Sequence, residues 1–379
     1  MSMFDTVGKS AEQAGRKENT LRKLARMNAA LRHREPDRVP IDFWASWGTR
    51  QKIRDIWGES FEEFLDRADV DLRYIEGPRY VGPPLADPSG ARDVDIWGVP
   101  RVLVQARMHD GTGEFEEPYR EVLVSPLAAS RSPEEIFEYP GWPSPDWYDY
   151  SVIPAQIEGW EHHPIRGGGS EPFLIYKELR GMEQAFVDLV ENPEIAHYCL
   201  DKLFGLAYDC AVRIYEAVPG KVDISYIAED MGGQTDLMIS VRHIREFLLP
   251  GMKRMIDLAH QAGAIAFHHN DGSCWRIIPD LIGLGIDLLN PLQWRCPGME
   301  RERLKKEFGP HLVLHGGMDN QHTLPFGTVD EVRREVEDNI RILGEGGGYI
   351  LAPCHNIQAI TPVENVLAMY DAARELGRR

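Results

Sequence analysis

The sequence predicts an α/β fold, a (β/α)8 TIM barrel with an N-terminal arm and an irregular insertion in its first half. Three observations carry this prediction. The second half alternates short, continuously apolar runs with amphipathic helical patterns, which is how a parallel sheet covered by helices reads. Polar residues recur directly after those runs, as at the C-terminal mouth of a barrel. The 379 residues suffice to bury one large core. A doubly wound sheet would show the same alternation; the recurring polar positions favour the barrel.

In chain order, residues 1–19 are polar and mixed in charge, without the apolar stretch of a secretory signal, and read as an arm preceding one domain over 20–379. A first helix is expected from Thr20 to His33, with Leu21, Leu24, Met27 and Leu31 spaced three or four apart. Its Arg22, Lys23 and Arg26 read as a solvated face. Pro36 stops it, and the run from Val39 to Trp44 reads as a buried strand. From Tyr74 to Ser170 the chain is rich in Pro, Gly, Trp and Tyr. Strand-like pieces at Arg101–Val104 and Glu121–Val124 suggest a hairpin inside an insertion.

The second half is more regular. A helix opens with proline at Pro193. Strands are expected at Val222–Ala228, Ala264–Phe267, Ile286–Leu289, Leu312–Leu314 and Tyr349–Leu351, and helices at Val241–Ala262 and Trp275–Ile282. Thr328 to Glu331 has the form of a capping box, and Thr361 to Glu364 repeats it before the last helix.

A net charge of -18 excludes a nucleic-acid partner, because phosphate neutralisation needs clustered Lys and Arg. No run of about 18 apolar residues spans a membrane. A cytoplasmic location follows by default. Five scattered cysteines do not form a disulfide framework.

Each apolar run of the second half is followed by groups able to do chemistry: Glu229 and Asp230; His268, His269 and Asp271; Asn290 and Gln293; His315 and Asp319; Cys354 and His355. In a barrel these sequence-distant groups meet at one mouth. Two constellations are expected. One is a catalytic metal site from His269, Asp271 or Cys274, and Cys354, completed by His355 or Glu229, a donor mixture that zinc accepts. The other is metal-free acid–base chemistry by Asp230 with His268, His269 or His355. No GxGxxG follows a strand and no phosphate-binding P-loop is present.

Several stretches together resemble the uroporphyrinogen decarboxylase superfamily. They are Met27–Pro40, Phe267–Gly272 with Ile286–Gln293, Leu314–Asp319, Gly347–His355 and Thr361–Asn365. The resemblance implies a (β/α)8 barrel and two classes of activity. One is cofactor-free decarboxylation of porphyrinogens. The other is zinc-dependent methyl transfer with a corrinoid protein as partner. The decarboxylases' Arg-Gln-Ala-Gly-Arg stretch is replaced here by the segment Phe43–Arg50, which argues against a porphyrinogen, since Arg forks hold carboxylates bidentately. The methyltransferases' His-x-Cys becomes His269-Asn-Asp271, with Cys354 near their distant cysteine and His355 at a histidine of decarboxylase-like members.

The leading expectation is therefore a corrinoid-dependent methyltransferase acting on a small methoxylated or methylated substrate. His269, Asp271 and Cys354 are the expected metal ligands, and Asp230, His355 and His268 the acid–base groups. Asn290, Gln293 and Asp319 would contact substrate, with Trp44, Trp47 and Trp294 as apolar walls. The alternative is a lyase that decarboxylates a small acidic substrate without metal; a third class is a non-catalytic tetrapyrrole binder. The resemblance also implies a homodimer.

Overall fold

A computed structural model describes residues 23–58, 60–85, 93–109 and 114–377. The expected arm, 1–19, and the first turn of the first helix lie outside these residues. Helix α1 (23–31) leads into an extended segment, 39–45. Then come α2 (Trp47–Trp57), α3 (Phe61–Arg67) and the short strand β1 (Arg73–Tyr74). Ser60 and Glu63 cap α3 reciprocally, satisfying amides that a helix leaves unpaired at its start.

The insertion follows as β2 (Arg79–Tyr80), β3 (Asp93–Val94), β4 (Pro100–His109), β5 (Glu114–Val122), α4 (Pro133–Phe137), β6 (Tyr148–Asp149) and α5 (Ile153–Gln156). The expected hairpin is present, with β4 and β5 paired antiparallel and β3 added at the edge.

From there strands and helices alternate. Strand β7 (Ile165–Ser170) precedes α6 (Pro172–Arg180), α7 (Met182–Glu191) and α8 (Pro193–Ala217); β8 (Ile224–Ala228) precedes α9 (Val241–His243) and α10 (Leu249–Gln261). Strand β9 (Ile265–His269) leads to α11 (Ile278–Leu284), β10 (Leu288–Asn290) to α12 (Arg301–Glu307), and β11 (Val313–Met318) to α13 (Thr323–Phe326) and α14 (Val329–Leu343). Strand β12 (Tyr349–Pro353) and α15 (Val363–Leu376) end the fold. The glycine run Gly167–Gly169 is part of β7.

Two local expectations are corrected. The helix expected over Val241–Ala262 is interrupted by a π-helical turn, Ile244–Leu248, where Pro250, lacking an N–H, cannot continue the α ladder. The last helix starts after Pro362 without a side-chain cap, and the buried Thr361 hydroxyl has no hydrogen-bond partner. Thr328 and Glu331 do form their capping box on α14.

Seven parallel strands form one curled sheet in the order β1-β7-β8-β9-β10-β11-β12. The segment 39–45 meets β12 at an isolated parallel bridge, Ile41 to Leu351, and the loop beyond β12 at another, Ala45 to Ile357. On its other side, the Ile41 carbonyl accepts from Asp71 N at 2.9 Å. Pro40 has no N–H to give, which interrupts a ladder. The regular closed barrel expected from the sequence is therefore replaced by a curled sheet whose ladder does not close.

Strand alternation sorts the side chains. Ile227, Ala266, Leu289, Leu314 and Leu351 face the surrounding helices in the main core. Leu72, Ile224, Phe267, Leu288, Val313 and Ile350 fill the inside, with Met27 of α1 packed against them. Farther along the same strands the inward positions turn polar.

Of the basic run expected to be solvated, Arg22 lies outside the described residues, and the other two members are not on a solvated face. Lys23 and Arg26 are buried. Lys23 donates to the Val70 carbonyl at 2.9 Å. Arg26 donates to Asp71 at 2.5 Å and to Asp37 at 2.8 and 2.9 Å. Asp71, 0% exposed, also accepts from Arg38 at 2.8 Å and from the Ile41 amide at 2.8 Å. One buried carboxylate thus ties α1, the 39–45 segment and the approach to β1 together.

Candidate active site

The inward residues near the C-terminal ends of the strands form a connected polar layer. Arg166 lies 3.9 Å from the Tyr74 ring centre, 4.6 Å from that of Tyr226 and 5.3 Å from that of Phe267. Beside it, Asp42 accepts from Tyr74 OH and pairs with His315 Nε2 at 3.0 Å. Asn290 joins His315 Nδ1 at 2.8 Å to His269 Nδ1 at 2.5 Å.

The direction of these protons follows from Asp42. Burial opposes its ionisation, but the hydrogen bond and charge of His315, the charge of Arg166 and the bond from Tyr74 outweigh it and hold its pKa below the ordinary value. A carboxylate only accepts, so His315 Nε2 carries the proton and His315 Nδ1 accepts from the Asn290 amide. Asn290 then offers its oxygen to the Nδ1–H of His269. The lone pair of His269 is left on Nε2, facing Asp230 at 4.0 Å and Asp271 at 3.8 Å.

His355 completes the group, its Nε2 3.6 Å from Asp271. Potential ligand atoms of His269, Asp271 and His355 all lie within 4.8 Å of one another. Burial lowers the pKa of both imidazoles, favouring the neutral form that ligates metals. Burial pushes Asp271 up to about 6, against the pull of His269. Asp271 Oδ1 is buried without a hydrogen-bond partner. Trp44 covers the group, its ring 5.3 Å from His269 and 4.8 Å from His355.

Two cavities flank this cluster. One, of about 680 Å³, is lined by Trp44, Arg50, Tyr74 and Arg166. The other, of about 350 Å³, lies between the insertion and α8 and reaches Ser170, Glu171 and Tyr226.

The uroporphyrinogen decarboxylase (URO-D) family model matches residues 161–376, more than half of the chain and the stretch holding His269, Asp271, Asn290, His315 and His355. The chain belongs to that family. Within the URO-D family, a uroporphyrinogen decarboxylase of Anaeromyxobacter sp. (strain Fw109-5) is 27% identical over 55% of this chain and 58% of its own length. A methylcobamide:CoM methyltransferase MtaA of Methanosarcina barkeri is 25% identical over 56% of this chain and 58% of its own. The chain thus spans somewhat over half the length of these curated relatives. A methyltransferase from Methanosarcina mazei superposes with a TM-score of 0.63 at 18% identity, over 92% of this chain and 97% of that one. That likeness concerns the fold alone. Asp42, Trp44 and Tyr74 precede the URO-D match, yet they pack against residues within it.

Not all of the expected residues meet at the mouth. His269, Asp271, His355, Asp230, Asn290 and Trp44 do. Cys354 does not join them: its thiol donates to the Leu292 carbonyl at 3.1 Å, and burial pushes its pKa far up. The chain turns sharply after β12, so strand parity no longer governs that side chain. Cys274 packs on Met299 Sδ at 3.9 Å. Glu229 accepts from the Phe173 amide at 2.9 Å and so caps α6. Gln293 accepts from the Gly272 amide, bracing the loop that carries Asp271. Asp319 organises its own loop, accepting from Arg295 and from the Gln321 amide. Trp47 is 70% exposed. Trp294 is turned away to the Gly317 carbonyl.

His268 is corrected from an acid–base group to a packing residue. It follows the inward Phe267 and precedes the inward His269, so it points to the helix side. Its Nδ1 meets the Ile227 carbonyl at 2.9 Å and its Nε2 has no partner. Burial lowers its pKa to about 4. The unfolded chain therefore takes up a proton near pH 6.5 that the folded chain refuses, and stability present above that pH is lost as pH falls toward 4. By pH 5 the loss from His268 is about 2 kcal/mol. Urea titrations at pH 7 and pH 5 check this, the pH-dependent loss shrinking in His268→Gln. An equal pH dependence in the variant would refute it.

Asp42, Tyr74, Arg166, Glu171 and Tyr226 were not singled out from sequence. The available signal was Asp42 itself, an acid inside an apolar strand and two residues from Trp44.

Proposed function

We propose that this chain is a methyltransferase that takes a methyl group from a small methoxylated or methylated substrate and passes it to a corrinoid carried by a partner protein. The observation that carries this reading is the convergence of His269, Asp271 and His355 beside a second carboxylate, Asp230. A relative named as a methylcobamide:CoM methyltransferase supports it. In this reading residues 39–45 supply the eighth stave of a (β/α)8 barrel, and 20–379 act as one domain.

The donor set fits a zinc ion: two neutral imidazoles, a buried carboxylate oxygen without a partner, and room for one further ligand. His269 would offer Nε2, with its Nδ1–H bound to Asn290 in the way ligating histidines are oriented. When bound, zinc supplies a Lewis acid at the substrate's leaving oxygen, nitrogen or sulfur. The chain's own residues do the rest. Trp44 shields the imidazoles from bulk water. The methyl–heteroatom bond breaks; the acceptor supplies the electron pair of the new bond, and the heteroatom keeps the old pair and takes a proton. Asp230, partly exposed and close to His269, carries that proton from solvent.

Incubating zinc-loaded protein with reduced corrinoid and substrates bearing a deuterated methyl group tests the reading. Label should pass to the corrinoid, about 100-fold more slowly in Asp230→Asn. No transfer from any substrate of a panel of ethers, amines and thioethers would sink it.

One observation favours the lyase alternative. Arg50, whose buried Nε has no hydrogen-bond partner, and Arg166 line the same cavity beside Trp44, where they would hold a carboxylate. Carbon dioxide release from metal-stripped protein would decide for that reading.

A further inference from the structure

We propose that the cavity of about 350 Å³ between the insertion and α8 is a binding site for an uncharged aromatic ring bearing an oxygen substituent. This rests on the methyl-transfer reading and names its substrate class.

The walls come from two sides. Ile96, Trp97 and Tyr148 of the insertion form one, and Ile175, Leu203 and Ala207 of α6 and α8 the other. They offer almost no polar surface, and the volume is at the low end for a small-molecule site, enough for a single substituted ring. Ser170, Glu171 and Tyr226 bring polar groups to the end nearest the cluster. Ser170 is 4% exposed, and its hydroxyl has no partner, a costly state for a buried polar group unless a ligand completes it. Next to it Tyr226 OH donates to Glu171 Oε1 at 2.8 Å. The Tyr226 ring lies 5.7 Å from the His269 ring, so this polar end is the end nearer the reactive cluster.

Charge selects against an anion. Glu171, Glu229, Asp230 and Asp271 gather at this end, against Lys177 and Arg166. Burial raises the pKa of Glu171 and Glu229, so both resist further negative charge nearby. A hydroxyl or ether oxygen on an uncharged ring satisfies Ser170 without that penalty.

The test measures binding of 2-methoxyphenol and of benzoate to the full chain by calorimetry, in zinc-loaded wild type and in three variants. Ala207→Trp and Ile96→Trp fill the cavity from opposite walls, and either suffices if the other fails to fold; Ser170→Ala removes the free hydroxyl. Methoxyphenol should bind at least about tenfold more weakly in the filled variants and about fivefold more weakly in Ser170→Ala. Benzoate should bind wild type at least about tenfold more weakly than methoxyphenol. Equal methoxyphenol affinity in a folded filled variant, or benzoate binding as tight as methoxyphenol, overturns the proposal. Zinc content read in the same samples separates the two failures. Zinc retained without ring binding refutes this site alone, whereas no zinc in wild type refutes the reading of the cluster.

Discussion

Alanine at position 269 is expected to abolish zinc binding, from about one equivalent per chain to none that survives a chelator, with apparent affinity down at least about 100-fold. The His269 proton is fixed from behind by Asn290 at 2.5 Å, so its Nε2 lone pair is ready before the metal arrives. Cys354→Ala should keep its zinc, because that thiol is directed to the Leu292 carbonyl. Asn290→Leu should fall between, since it leaves the ligand but frees its ring and proton. Plasma mass spectrometry and chelator competition on the three variants check the order. Zinc lost in Cys354→Ala and kept in His269→Ala would reverse the assignment.

The largest loss of stability is expected at Asp71→Ala. Asp71 holds Arg26, Arg38 and the Ile41 amide at 2.5 to 2.8 Å in a fully buried position. Removing it leaves two buried guanidiniums with only their less buried partners, Asp37 and Asp69, and breaking such buried pairs suggests about 3–5 kcal/mol. Asp71→Asn should cost less, keeping one acceptor. Urea denaturation followed by circular dichroism measures both; a change under about 1 kcal/mol in the alanine variant would contradict the role given to this network.

Much of the architecture was legible. The apolar runs ending at Ala228, Phe267 and Leu289 lie in strands of one parallel sheet, and groups just beyond them do meet. What escaped was direction. His268 and His269 are neighbours in a strand, so one faces each way, and the sequence does not say which. Cys354 lies past the end of β12, where the turn decides its aim. The Lys23 and Arg26 pattern resembled a surface stripe because their partners, Asp69 and Asp71, are more than 40 residues away. The inner layer of Asp42, Tyr74 and Arg166 escaped because each lies in a separate short stretch of chain, and only the curl of the sheet brings them together.

The hydrogen-bond chain from Asp42 to His269 spans the two sides of the sheet's seam. Its first member sits on the segment that is fastened by isolated bridges, and its last is the imidazole at the mouth. Loosening of that edge would release Asp42, then His315, then the amide of Asn290, and the imidazole would lose its preferred tautomer while the helices stayed packed. Chemical competence in this protein is thus a more sensitive gauge of the seam's integrity than its melting temperature.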